Sequence, residues 1–165
     1  LLDKSVDINV IRSMSTGAAK PTELPYPRTL EVRDTCLCLH VQRAARALAR
    51  RFDEAFRPLD LTNGQFSLLM SLNRPQPPGI GSVASLLAMD RTTLTAALKP
   101  LVRRGLVTIS VDKKDRRSRL LTIRPAGRAL LAKAFPIWRQ THVELEGHIS
   151  QPEGLRAALL ALAWD

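Results

Sequence analysis

Residues 113–119 read KKDRRSR, five lysines and arginines with one aspartate and one serine in seven positions. Cations at that density neutralise phosphates, and a guanidinium on a narrow tip fits the minor groove of a duplex. A second set of suitable side chains lies upstream in DRTTLTAALK, residues 90–99. Arg91 can hydrogen-bond guanine, Thr92, Thr93 and Thr95 each carry a hydroxyl and a methyl group, and Ala96 and Lys99 complete the group. A third constellation is CLCLH, residues 36–40. There Cys36 and Cys38 are candidates for thiol oxidation, and Cys36 with His40, four positions on, has the spacing of half a soft-metal site.

Each group has a plainer reading. A charged turn can serve only to keep a β edge from pairing, RTTLT can be an ordinary capped surface helix, and the cysteines can simply pack. His142 and His148 are too far apart for a helical metal pair and have no Cys or carboxylate grouping around them, so no metal site and no cofactor is expected. A Gly-rich phosphate loop, a nucleophile elbow and a paired-carboxylate arrangement are all missing, which argues against an enzyme.

Composition narrows the partners. The chain of 165 residues has a net charge of +10 and a pI near 10.8, which favours an anionic partner, nucleic acid before an acidic membrane surface. The charge is concentrated: residues 90–128 alone carry a net +8. The longest apolar run, AALLALAW at 157–164, is far too short to cross a bilayer, so no membrane association and a cytoplasmic location are expected. Two cysteines make no disulfide framework and fit a reducing compartment.

The elements that must position these groups follow from spacing. Residues 1–29 end in STGAAKPTELPYPRT, whose three prolines read as an extended arm. Apolar residues Leu37, Val41, Leu48, Phe52 and Phe56 predict one amphipathic helix over 34–57. Thr62 and Gln65 form a capping-box pair ahead of a helix to about residue 73, and Ser82 reads as the cap of a short helix. Asp90 caps the next helix, with Leu94, Leu98 and Leu101 as its buried stripe, Pro100 as a weak point and Gly105 as its stop. LVTISV and RLLTI pair as a hairpin around the basic tip. Pro125 opens a long helix over 126–146 bearing Trp138, and Ser150 with Glu153 repeats the capping spacing before a last apolar helix. Trp138 and Trp164 are candidates to line an effector pocket.

A short helix, a tight turn, a second helix and a hairpin make a winged helix-turn-helix. The fold class expected is therefore mainly α (α+β), with a winged helix-turn-helix lobe over 58–125, a two-stranded wing, and flanking helical regions at 30–57 and 126–165.

At MDRTTLTAALKPLVRRGLVTISVDKKDRRSRLLTIRPAGRALL the chain resembles the MarR family of bacterial winged-helix regulators, whose wing signature of Asp, any residue, Arg falls on Asp115 and Arg117. The resemblance implies that Arg117 probes the minor groove, that Asp115 orients the basic side chains Lys113, Lys114, Arg116 and Arg117 through ion pairs, and that the protein is a homodimer, joined through the helical dimerisation regions at 30–57 and 126–165, on a pseudo-palindromic double-stranded operator. It also implies repression relieved by a small-molecule effector, commonly an aromatic acid in this family. Rival readings are a redox or metal switch at Cys36 and Cys38, a winged-helix protein-interaction module, and an RNA-binding domain.

Overall fold

The computed structural model describes residues 23–163. Most of the expected arm, and Trp164, lie outside the described residues. The chain divides into two compact units, residues 1–43 and residues 44–165.

The first unit departs from the expected extended arm. A helix, α1, runs Tyr26–Thr35, with Pro25 at its N-cap and a proline in its first turn. Proline lacks only an N–H that a first turn leaves unpaired anyway, so these prolines start a helix instead of preventing one. Cys36 then turns extended (ψ 106°) and closes α1 by donating its N–H to Val32 O at 3.0 Å. The next helix, α2, is Leu37–Phe56, so the single helix expected over 34–57 is broken at Cys36.

In the second unit a 3-10 turn, Arg57–Leu59, ends at Asp60, whose φ of 48° is left-handed. Helix α3, Asn63–Ser71, carries the expected capping box: Gln65 N donates to Thr62 Oγ1 at 3.2 Å, and Thr62 N donates to Gln65 Oε1 at 3.3 Å. Helix α4, Ile80–Leu86, starts three residues earlier than expected, with Gly79 and not Ser82 at its N-cap. The cause is the preceding strand-like stretch: Pro78 O accepts Leu121 N at 2.9 Å and Gly79 bridges Leu120, which holds the chain extended until Gly79.

A tight turn follows, with Ala88 in the left-handed region (φ 49°) and Met89 N bonded to Ala84 O at 2.9 Å. Helix α5 is Arg91–Arg103; it runs through Pro100, and Gly105 (φ 68°) stops it in the left-handed conformation expected of a helix end. Strands β1, Val107–Val111, and β2, Arg119–Ile123, pair antiparallel in the register Val107↔Ile123 to Val111↔Arg119. Helix α6, Pro125–Glu146, passes through Pro136. Helix α7, Pro152–Ala163, begins after Gln151, whose carbonyl accepts Leu155 N, so the cap expected at Ser150 is displaced by one residue.

The fold class is the expected one, mainly helical with a two-stranded wing. Its core gathers Phe52 and Phe56 of α2, Phe66, Leu68 and Leu69 of α3, Val83 of α4, the α5 leucines, Leu121 and Ile123 of β2, and Leu131 and Ala134 of α6. Leu94, Leu98 and Leu101 are each 0% exposed, and burial of such a side chain is worth about 2 kcal/mol. Among the described residues no helix is long and apolar enough to cross a membrane.

Gly127 marks the closest approach of α6 to the hairpin: a Cβ there would lie 2.5 Å from Leu106 O and 2.8 Å from Ile123 Cγ1. Gly64, in the first turn of α3, faces nothing within 4 Å. Thermal unfolding is expected to separate the two positions. Gly127→Ala destabilises by about 1–3 kcal/mol through overpacking, whereas Gly64→Ala is neutral or stabilising by up to about 1 kcal/mol.

Candidate nucleic-acid interface

Burying three leucines of α5 against the core turns its other side outward. Arg91, Thr92, Thr95, Ala96 and Lys99 are all exposed. The N-terminus of the helix is held by Asp90, whose Oδ1 accepts Thr93 N at 2.8 Å and whose Oδ2 accepts Thr93 Oγ1 at 2.5 Å. Thr93 is thus the capping partner, and its hydroxyl proton is committed to Asp90. Thr95 Oγ1 donates to Arg91 O at 2.7 Å, which leaves its lone pairs and methyl group facing out. These hydrogen bonds hold the Asp90 carboxyl below its usual pKa, with the Thr93 hydroxyl the largest cause and the Thr93 amide next.

Two features of α5 escaped the sequence reading. Arg91 lays its guanidinium across Gly81 of α4, where an added Cβ would sit 3.3 Å from Arg91 Nη2. Arg104, just past the other end, donates from Nη1 to Asp60 O at 2.5 Å and to Gln65 Oε1 at 3.4 Å, tying the rear of α5 to the corner before α3. Neither contact has a local spacing signature, because the partners are far apart in sequence.

The wing tip is built by its two aspartates. Asp112 Oδ1 accepts Lys114 N at 2.9 Å; Asp115 Oδ1 accepts Arg117 N at 3.0 Å and Asp115 Oδ2 accepts Ser118 Oγ at 2.7 Å. The ion pairs expected of Asp115 are not formed. Its carboxylate shapes the turn as an Asx-type cap, and the Ser118 hydroxyl, then the Arg117 amide, hold it below its usual pKa. Lys113, Lys114, Arg116 and Arg117 are exposed, and their charged ends meet no acidic group among the described residues. Arg119 differs: its Nη1 folds back to Arg116 O at 3.1 Å and braces the tip.

Cys36, Cys38 and His40 belong to the first unit. Cys36 lies between α1 and α2 and not on a shared helix face with His40. Its Sγ accepts Leu39 N at 3.4 Å, while His40 Nδ1 donates to the Cys36 carbonyl at 2.8 Å. Cys38 Sγ accepts Gln42 Nε2 at 3.1 Å. Among the described residues no group of three or more His, Cys, Asp or Glu is placed to hold a metal ion.

A cleft of about 390 Å³ opens between α3, α4 and α6, walled by Phe66, Met70, Leu86, Leu87, Phe135 and Trp138. Trp138 stacks with Phe135 at 5.7 Å and with Phe66 at 6.4 Å, and His142 backs it at 4.7 Å. Trp138 was the wall residue read from the sequence; Phe66 and Phe135 join it through tertiary packing.

The MarR family model matches residues 61–118, which run from the start of α3 through the wing. The HTH-type transcriptional regulator YybA of Bacillus subtilis is 31% identical over 70% of this chain and 78% of its own. The solved structure of the Mycobacterium tuberculosis regulator MosR in complex with DNA is 34% identical, covers 78% of this chain and 93% of that one, and has a TM-score of 0.73. The chain belongs to the MarR family. The transcriptional repressor CouR bound to a 23-mer duplex is a further neighbour, 28% identical over 86% of this chain and 96% of that one, with a TM-score of 0.66. As a MarR-family member the protein is a DNA-binding transcriptional regulator and not an enzyme.

The two depressed carboxylates set a pH expectation. A carboxyl whose folded-state pKa is lowered contributes fully above its unfolded value, and that contribution is lost as pH falls through the lowered folded value. Amide shifts of Thr93 and Arg117 are therefore expected to titrate with midpoints below about 3.9, the ordinary aspartate value. Midpoints at or above it contradict the hydrogen-bonded geometry. At neutral pH Asp115→Ala is expected to loosen the tip and weaken duplex binding more than Asp115→Asn, which keeps an acceptor.

Proposed function

We propose that this regulator is a homodimeric repressor that occupies a pseudo-palindromic operator and is released from it by a small ligand. The observation that carries the reading is the exposed side of α5 beside a wing whose four tip cations have no acidic partner among the described residues. In this account Arg91, Thr92, Thr95, Ala96 and Lys99 meet base edges in the major groove, Thr93 holds the helix start, and Lys113, Lys114 and Arg116 follow the phosphates. Arg117 enters the minor groove, and Asp115 keeps the tip in shape. Residues 58–125 form the DNA-binding lobe.

Dimerisation is assigned to residues 30–57 and 126–165. Helix α7 buries none of its own side chains, and Leu155, Leu159, Leu160 and Leu162 are 42–63% exposed. In the first unit α1 likewise buries none, and Tyr26, Val32 and Leu37 are exposed. A second copy covering such surfaces accounts for their composition. The cleft beside Trp138 is the assigned effector site, and the cytoplasm, where the chromosome lies, the assigned compartment.

A second reading rests on the paired thiols. Cys38 is exposed and Cys36 half-buried, so a hydroperoxide can reach them; two thiols would become a disulfide while the peroxide is reduced to alcohol and water. Loss of oxidant-driven DNA release in Cys36→Ser or Cys38→Ser supports that switch, and release that persists in the double variant removes it.

The regulator reading is tested by fluorescence anisotropy on the duplex upstream of the protein's own gene, across salt concentrations, with scrambled duplex and single-stranded RNA as controls. Sequence-preferring, salt-steep binding by two chains per site is expected. Equal weak binding to all three would mark an interaction module, and a preference for RNA an RNA-binding domain. Arg117→Ala is expected to weaken duplex binding and to lower the salt slope by about 1; an unchanged slope removes the wing from the interface.

A further inference from the structure

We infer that Gly81 is a specificity-determining residue that acts through Arg91: the glycine leaves a place on α4 for the Arg91 guanidinium, and that place sets the base pair at which the arginine reads guanine. This rests on the proposed reading of a duplex by α5 and adds to it a positioning residue outside that helix.

The route of the Arg91 side chain follows from its position on α5. Thr92, Ala96 and Lys99, spaced by four and three, line the middle of the exposed side. At about 100° per residue, Arg91 stands about 80–100° round the helix from Thr92 and Lys99, and only about 20° from the fully buried Leu98. Its stem therefore leaves α5 along the crevice with α4 and not from the open face. The guanidinium surfaces at Gly81, the second residue of α4. A Cβ at that glycine would lie 3.3 Å from Arg91 Nη2, 3.9 Å from Cζ and 4.0 Å from Nε. All three atoms belong to the guanidinium, so the charged plane, and not the stem, covers the glycine.

That contact prepares the arginine for its task. An arginine on an open helix face samples many rotamers, and ordering it against a base edge costs binding free energy. The floor at Gly81 removes part of that freedom before the duplex arrives and holds the guanidinium on the α4 side of the reading surface. A bidentate contact to guanine O6 and N7 needs both hydrogen bonds at once, and a displacement of about 1 Å stretches a bond of about 2.9 Å out of range. The adjacent acid does not compete for the guanidinium, because Asp90 Oδ1 accepts Thr93 N and Asp90 Oδ2 accepts Thr93 Oγ1.

Glycine is otherwise a poor residue for a helix, where it loses more backbone entropy than alanine. At Gly81 the space left by the missing side chain is the space the guanidinium occupies. A methyl group there asks the flexible end of Arg91 to give by a few tenths of an ångström, whereas the branched side chain of valine fills the place.

The test begins with duplexes selected from a randomised pool by the unaltered full chain, so that the preferred sequence is known before any variant is measured. Fluorescence anisotropy on that duplex, with one base pair at a time replaced in both halves, then gives a preference profile for each protein. The unaltered protein is expected to lose about tenfold or more in affinity at one G·C pair per half, and Arg91→Ala to lack that preference. Gly81→Val is expected to reproduce the Arg91→Ala profile with the salt slope unchanged, and the double variant to bind no more weakly than Arg91→Ala alone. Gly81→Ala weakens the preference at the same pair by less and does not lower the thermal midpoint. A full preference at that pair in Gly81→Val overturns the inference, as does a double variant whose loss equals the sum of the single losses. A uniform loss over all base pairs with a lower salt slope in Arg91→Ala makes Arg91 a phosphate contact and overturns it equally. If circular dichroism shows Gly81→Val unfolded, Gly81→Ala decides by the same profile, and an unchanged preference at the Arg91-dependent pair counts against the inference. Enrichment of no sequence from the pool sinks the regulator reading and this inference together; a selected duplex whose profile ignores residue 81 sinks this inference alone.

Discussion

Everything at the candidate interface depends on the one-sided burial of α5. Leu94, Leu98 and Leu101 are fully enclosed by α3, α4 and the hairpin side of the core, and a helix pinned along one face can present only the opposite one. The tight turn at Ala88 sets where that helix begins, and the left-handed Gly105 sends the chain directly into β1. The hairpin in turn sits against α6 because Gly127 has no side chain to hold it off. Helix α5 and the wing are thereby parts of a single packed body, and the loss of any of these contacts moves both.

A second constraint is electrostatic. In a chain of net charge +10, an acidic residue beside a basic cluster would ordinarily pair with it and blunt its reach toward phosphate. Asp90, Asp112 and Asp115 instead spend their oxygens on backbone N–H groups and hydroxyls. They order the backbone at the two points nearest the proposed duplex and leave the cations available. In the proposed complex counterion release from phosphate supplies affinity, while the α5 side chains supply the choice of sequence.

Much of this was legible from local signals. The stripe of α5, its Asp90 cap, the Thr62–Gln65 capping box, the Gly105 stop and the hairpin are all properties of residues close in sequence. The misreadings share a cause: they depend on partners far along the chain or on which of two local roles a residue takes. Ser82 lost the cap of α4 to Gly79 because β2 holds the preceding stretch extended. Pro25 and Pro27 were read as breakers when, at a helix start, the same ring geometry is favourable. The break at Cys36 left no mark in the apolar periodicity, because the stripe begins only at Leu37, where the second helix starts. The family resemblance implied ion pairing for Asp115, yet the amide and hydroxyl within three residues reach it first. The Arg91–Gly81 and Arg104–Asp60 contacts and the aromatic cleft needed tertiary structure to appear at all.

The central claim is that α5 and the wing act together on a duplex. Hydroxyl-radical footprinting on the operator region tests it most directly, because it reports groove by groove. The account predicts protections in two halves related by a two-fold axis, with the flanking minor-groove protection of each half lost in Arg117→Ala while the central pattern remains. Protection spread evenly along the duplex, or an Arg117→Ala footprint identical to that of the unaltered protein, would contradict it.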